Sequence, residues 1–232
     1  MSVKILALET ATEACSAALL IDDQMLERFE IAPRGHARLL LPMLDELLAT
    51  AGLQPAQLDA VAFGRGPGSF TGLRIAAGTA QGIAFATDLP VLPVSTLAAL
   101  ARPALLRAGV EHVLAAIDAR MGEVYWAPYG RSANGEPEAL GAERVSAPER
   151  VDISGVPGGA AWSGVGSGWA AYAAPLHAQL GDRLAGIDAD ALPRAGDIAR
   201  LAALDFAAGR VVAPEHAQPI YLRNQVVQRP GG

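Results

Sequence analysis

The sequence predicts an α/β protein built from two halves of similar plan, each around a mixed sheet. Three observations carry that prediction. Residues 3–107 read as three strands in a meander, then helix, strand, helix, strand, helix, an order that implies a mixed sheet with helices on its faces. Near residue 108 the pattern starts again with a strand, a turn bearing an acid, and a returning strand. In the first half a glycine-rich turn leads from an apolar strand into a nearly uncharged helix: Gly64-Arg65-Gly66-Pro67-Gly68-Ser69-Phe70-Thr71-Gly72-Leu73-Arg74. The halves are expected to be residues 1–107 and 108–232.

The elements follow in order. Val3–Leu8 alternates and is aliphatic, the mark of a strand. Glu9-Thr10-Ala11-Thr12-Glu13 is a polar turn, and Cys15–Ile21 and Gln24–Ile31 return as strands around Asp22-Asp23. His36–Thr50 carries Leu40, Met43, Leu44 and Leu47 at helical spacing, with Asp45 and Glu46 on the other face and Gly52 as its stop. Pro42 either kinks that helix or marks its first turn. Asp59–Phe63 is a strand, Thr71–Ala86 a helix, Leu89–Val94 a short strand, and Thr96–Arg107 a helix capped by Ser95. In the second half Val110–Ile117 and Glu123–Pro128 form a hairpin around Asp118, and Ser132–Glu138 reads as loop. Val156–Ser167 reads as a strand with a second glycine turn, and Gly168–Leu180 as a helix. Gly196–Gly209 is the last helix, with Asp197 as its cap. Val211–Pro219 is extended, and Asn224–Gly232 is expected to fray.

Glycine turns from strand to helix often offer backbone N–H groups to phosphate. Here the dinucleotide fingerprint fails at Ser69, where its third glycine would stand, and no Gly-Lys-Ser/Thr completes a P-loop. The following helix is the more unusual feature, because Arg74 is its only charge from Thr71 to Thr87. Gly72, Ala76, Ala80 and Ala84 form one row of small residues, and Gly78, Gly82 and Ala86 another. Such rows let a second backbone come close. An uncharged helix is covered on all sides, either by its own core or by a sheet on one side and another subunit on the other. Its uncharged run is shorter than the ~18 residues of a membrane span.

Composition narrows the function. With 51% hydrophobic and 18% charged residues among 232, the chain folds around a real core. A net charge of −6 without any basic run disfavours direct nucleic-acid binding. The single cysteine, Cys15, excludes a disulfide framework and reads as a core residue. Met1–Leu8 is too short and ends too acidic for a signal peptide, so a cytoplasmic location is expected. Four histidines, none spaced i, i+4, supply no metal pair.

Four stretches carry a resemblance. Ile5-Leu6-Ala7-Leu8-Glu9-Thr10-Ala11-Thr12, the run Gly64 to Arg74, Asp118 to Trp126, and Pro219-Ile220-Tyr221-Leu222-Arg223 are similar to the TsaB (YeaZ) family over nearly the whole chain. The resemblance implies an actin-like or Hsp70-like (ASKHA) duplicated fold, with two β-β-β-α-β-α-type halves. It also implies a non-catalytic part in making N6-threonylcarbamoyladenosine at position 37 of tRNA. The implied partners are the transferase TsaD, the ATPase TsaE and, when alone, a second copy; tRNA would be met only through the complex. In the catalytic paralogue a His-x-x-x-His holds the metal, and the matching positions here are Thr96 and Leu100, which cannot replace it. No cofactor is required on this reading.

Residual nucleotide binding would fall to Glu9, Thr10, Gly66, Gly68 and Asp118, the acid-bearing hairpins and the glycine loop. The competing reading is a kinase or carbamoyl transferase of the same fold, using Glu9 or Asp118 with magnesium; a metallopeptidase lacks ligands. The expected partner interface comprises Leu40, Met43, Leu44, Leu47, Gly72, Arg74, Ile75, Ala76, Thr79 and Ala80. Elemental analysis of untagged protein is expected to find far less than one equivalent of zinc or iron, and a stoichiometric metal would overturn that expectation.

Overall fold

A computed structural model describes residues 3–156 and 161–223. The first sheet contains β1 (Lys4–Glu9), β2 (Ala14–Ile21), β3 (Gln24–Ile31), β4 (Ala60–Gly64) and β5 (Val91–Val94), in the order β3-β2-β1-β4-β5. The meander pairs antiparallel, while β1/β4 and β4/β5 are parallel, which is the expected mixed sheet. The second sheet contains β6 (His112–Arg120), β7 (Glu123–Arg131), β8 (Pro137–Ala139), β9 (Arg144–Ser146), β10 (Trp162–Val165) and β11 (Leu184–Asp188), in the order β11-β10-β6-β7-β8 with β9 also on β7. The hairpin β6/β7 is antiparallel and β6/β10/β11 parallel, so the second sheet repeats the plan of the first.

The helices are α1 (His36–Ala51), α2 (Phe70–Thr87), α3 (Thr96–Leu105), α4 (Ser167–Leu180) and α5 (Ala195–Ala207). α1 ends on Gly52 in the left-handed region at φ 65°, and Pro42 sits inside it rather than in its first turn. Ser95 caps α3 by accepting from the Ala98 N–H at 3.1 Å. In the second half the place of α1 is taken by a single turn at Pro148–Arg150. The short strands β8, β9 and β11 are not among the expected elements, and the segment expected as loop runs into β8. The tail expected to fray and part of 156–167 lie outside the described residues.

Strand alternation sorts the core into layers. Leu6, Leu8, Ala17, Leu19 and Phe63 face α1 and α2, while Ile5, Ala7, Ala18, Leu20, Ala62 and Leu92 face the other way, onto α5. α3 lies on the second sheet through Leu97, Leu100, Ala101 and Leu105, and α4 covers that sheet's far side through Trp169 and Leu176. The halves therefore exchange helices. α3, counted with residues 1–107, packs on the second sheet, and α5, from 108–232, packs on the first. Cys15 is a core residue, its thiol pushed up to about 11 by burial.

Two expectations are corrected. Gly72, Ala76, Ala80 and Ala84 are buried against the first sheet, so this row serves the chain's own core and not a partner. Leu40, Met43, Leu44 and Leu47 pack there as well. The small side chains of α2 let its backbone approach β1 and β4 closely. The other row, Gly78, Gly82 and Ala86, is exposed. Asp197 does not cap α5, whose N-cap is Arg194 without a side-chain bond. Asp197 instead accepts from Arg102 at 3.0 Å. Its carboxyl is pushed up by burial, which outweighs the pairing with Arg102.

Since Ala76 is fully buried, Ala76→Glu places an uncompensated carboxylate in the core at a cost of about 3–5 kcal/mol. At roughly 2–4 °C per kcal/mol for a chain of this size, the melting temperature should fall by ~10 °C. An unchanged melt would show that this row is not core.

Candidate functional site

A cleft of about 810 Å³ lies between the halves. Its walls include Thr12, Glu13, Arg34, Gly68, Ser69 and Phe70 from the first half, and Asp118, Arg120, Tyr125 and Ser167 from the second. Ile220, Tyr221, Leu222 and Arg223 complete the lining. The starts of α2 and α4 both reach it, and Ser69 caps α2 by accepting from the Gly72 N–H at 3.4 Å.

The candidate residues divide sharply here. Glu9 and Thr10 do not line the cleft; both are buried. The Glu9 carboxylate accepts from the Ala11 N–H at 2.6 Å and from the Thr96 hydroxyl at 3.0 Å. Thr10 donates its hydroxyl to the Gly72 carbonyl at 2.8 Å. Asp118 does reach the cleft, but its carboxylate accepts from the Arg120 N–H at 2.8 Å and pairs with that residue's guanidinium at 2.8 Å. The Glu9 carboxyl is thus enclosed in the first half, while that of Asp118 is held at the cleft by its own turn and accepts from the Tyr172 hydroxyl at 3.4 Å. Among the described residues no group of three or more His, Cys, Asp or Glu is placed to hold a metal. Leu100 belongs to the core, and Thr96 is buried against Glu9.

The glycines of the loop are explained by close approach within the chain. A Cβ on Gly64 would overlap the Glu9 carboxylate, and one on Gly72 the Thr10 carbonyl. On Gly68 it would stand 2.5 Å from the Ala11 carbonyl oxygen. Gly66, at φ +106°, holds a conformation that disfavours side chains, and its Cβ would stand 2.9 Å from the Ile220 carbonyl oxygen. Of the candidate glycines only Gly68 borders the cleft; Gly66 lies under the chain's own residue 220. His36, the first residue of α1, holds the Thr12 and Ala14 carbonyls with its Nε2 at 2.9 and 3.2 Å.

A network between the halves escaped sequence reading. Arg65 forks onto Glu143 at 3.0 and 3.2 Å, and the Ser95 hydroxyl donates to the same carboxylate. Arg102 grips Glu136 at 2.6 and 2.8 Å. Only the flanks of Arg65 carried a signal, since it stands inside the glycine loop.

Burial pushes the Glu9 carboxyl up to about 7 from 4.5, only partly offset by the Ala11 and Thr96 bonds. The folded chain keeps this proton up to about pH 7, whereas the unfolded chain releases it near 4.5. Stability contributed by Glu9 therefore falls as pH rises through that window and levels off above it. The shift amounts to on the order of 3 kcal/mol. Glu9→Gln, which keeps an acceptor for Ala11, should melt progressively above the parent protein from pH 5 to pH 7, with the difference constant above that. Parallel pH profiles for the two proteins would refute the assignment.

A second surface is apolar. Leu41 and Pro55 with Gly78, Thr79, Gly82, Ile83 and Ala86 line a groove of about 400 Å³ on the outer side of α1 and α2. Gly78 and Gly82 have nothing within 4 Å of an added Cβ, and Leu41 and Phe85 stand 55% and 62% exposed. Of the expected interface residues, Arg74 is exposed and Ile75 and Thr79 are half-buried on this side of α2. No helix among the described residues is long and apolar enough to cross a membrane.

Comparison with known proteins places this geometry. Residues 28–229 match the family model described as TsaD: tRNA N6-adenosine threonylcarbamoyltransferase. The chain is 45% identical over 227 residues to the tRNA threonylcarbamoyladenosine biosynthesis protein TsaB of Escherichia coli K12, covering 97% of this chain and 96% of that protein. It is 44% identical over 232 residues to TsaB of Haemophilus influenzae, covering 97% and 95%. The solved structure of YeaZ from Pseudomonas aeruginosa superposes with a TM-score of 0.87 at 48% identity, over 95% of this chain and 100% of that one. The chain belongs to the TsaB (YeaZ) family.

Proposed function

We propose that this protein is a non-catalytic subunit of the machinery that makes N6-threonylcarbamoyladenosine at position 37 of tRNA, and that it binds and supports TsaD together with TsaE. The outer face of α1 and α2 is the docking surface for TsaD, and for a second copy of the chain when TsaD is absent. On this reading the fold is of the actin-like lineage, the protein works in the cytoplasm, and tRNA is met only through the complex, in keeping with a net charge of −6.

One observation carries the docking face. Gly78 and Gly82 sit inside an 18-residue helix with open space where a side chain would go. Each costs the helix about 1 kcal/mol relative to alanine, and nothing in the packing of the described residues requires it. A backbone or side chain arriving from outside does. The exposed Leu41 and Phe85 beside them supply apolar area for such a contact. The non-catalytic role is supported by the inward-turned Glu9, the self-engaged Asp118 and the loop glycines spent on internal contacts.

Gly82→Leu separates binding from folding. Leucine is a good helix former and meets open space, so the melt of the isolated, diluted chain should hold or rise. Affinity for TsaD should fall at least tenfold, about 1.4 kcal/mol, and modified tRNA formed in a reconstituted system with the other pathway proteins should fall with it. The chain alone, given ATP, magnesium, bicarbonate, threonine and tRNA, should give no turnover. Unchanged binding removes this face from the interface, and turnover by the chain alone ends the non-catalytic reading.

A further inference from the structure

The residues at 219–223 cross from one half of the molecule to the other. The chain reaches them from a firm anchorage: Val212 exchanges two backbone hydrogen bonds with Val91, each 2.9 Å, and Ala217 is fully buried. The Ile220 N–H then donates to the Arg65 carbonyl at 2.8 Å, and the Ile220 carbonyl covers Gly66. The Tyr221 ring lies 5.2 Å from that of Phe70, and its hydroxyl accepts from Arg74 Nε at 3.2 Å. The Arg74 guanidinium stacks on the other aromatic partner, 3.9 Å from the Phe70 centroid. All of these contacts belong to the first half.

Among the described residues, the reach to the second half rests on one side chain. Arg223 forms an ion pair with Glu123, donates to the Arg120 carbonyl at 3.4 Å and lies 3.6 Å from the Met121 sulfur. It thereby grips the turn between β6 and β7. That turn is costly, for Arg120, Met121 and Gly122 stand in succession at φ 62°, 57° and 78°, and side-chain-bearing residues resist the left-handed region. Both the strap and the turn line the interlobe cleft.

We propose that residues 219–223 form a latch over the interlobe cleft, with Arg223 as the hook and the Arg120–Gly122 turn as the catch. The asymmetry of the attachment supports this. Upstream of the strap, the Val212–Val91 bonds and the buried Ala217 keep the chain in place. Downstream, among the described residues, it is held by one partly exposed ion pair and its neighbours, of the kind that opens by local fluctuation. Ile220 and Tyr221 remain 38% and 41% exposed, so little apolar burial opposes release. The pairs of Arg65 with Glu143 and of Arg102 with Asp197 do not involve the strap; they keep the lobes joined when it lifts. Release uncovers the cleft and relieves the turn at once.

Hydrogen exchange on the full-length protein tests the latch. Arg223→Ala and Glu123→Ala should each speed exchange at least tenfold in residues 118–123 and at the Ile220 amide. The double variant should add nothing further, and β1, β4 and α2 should keep their protection. Arg210→Ala, which removes a surface pair with Asp205, should leave both segments unchanged. Unaltered protection in Arg223→Ala refutes the hook. Loss of protection through the first sheet refutes the latch in favour of a fixed brace.

Discussion

The carboxylate of Glu9 is the point on which the first half is assembled. It sits where β1 ends, fills the space that the missing side chain of Gly64 leaves at the end of β4, and takes the Thr96 hydroxyl at the start of α3. Three elements distant in sequence are thus pinned by one group, and the turn after β1 folds back onto it through the Ala11 N–H. Enclosing an acid this way raises the cost of its charge, and the structure tolerates that cost in order to fix the loop. Once Glu9 is in place, Gly68 and Gly72 press against the carbonyls of Ala11 and Thr10, and α2 leaves the loop at a set angle. An acid positioned to serve as glue cannot also reach a ligand in the cleft.

The fold was readable because strand alternation and glycine stops are local signals. The meander, the glycine loop, α1 with its Gly52 stop and the repeated hairpin around Asp118 all stand where periodicity puts them. The face of α2 was not readable. Its two rows of small residues are alike in composition and differ only in rotation about the helix, and with one charge in the helix nothing marks the outside. Burial settled it, placing Ala76 and Ala80 inward and Gly78 and Gly82 outward. Asp197 was misread for another reason. An acid in the first turn of a helix satisfies the capping pattern, yet it was claimed by Arg102 from the other half of the chain, and no local rule sees a partner 95 residues away.

The candidate site was half legible for the same reason. Residue type and hairpin position singled out Glu9, Thr10 and Asp118, but not the direction in which they point. Thr10 and Glu9 belong to a turn that curls inward, while Asp118 belongs to one that stands in the left-handed region and spends its acid on itself. The two hairpins occupy matching places in the duplicated plan and hold their acids by different means. The ion pairs that tie the lobes together, Arg65 with Glu143 and Arg102 with Asp197, join positions 78 and 95 residues apart and leave no pattern in the sequence.

The exchange of helices between the halves governs how the chain is made. The face of the first sheet formed by Ile5, Ala7, Leu20, Ala62 and Leu92 is closed by Ile198, Ala199 and Ala202 of α5. During synthesis β1 (Lys4–Glu9) is made long before its cover, α5 (Ala195–Ala207). At roughly 5–20 residues per second, that interval is on the order of 10–40 s. For that time a five-strand sheet with an apolar side stands open on the ribosome, and loop closure over so long a span adds to the delay. The first half, although it contains the glycine loop and the outer face of α1 and α2, is therefore not a domain that can be born finished; its last layer arrives only with α5.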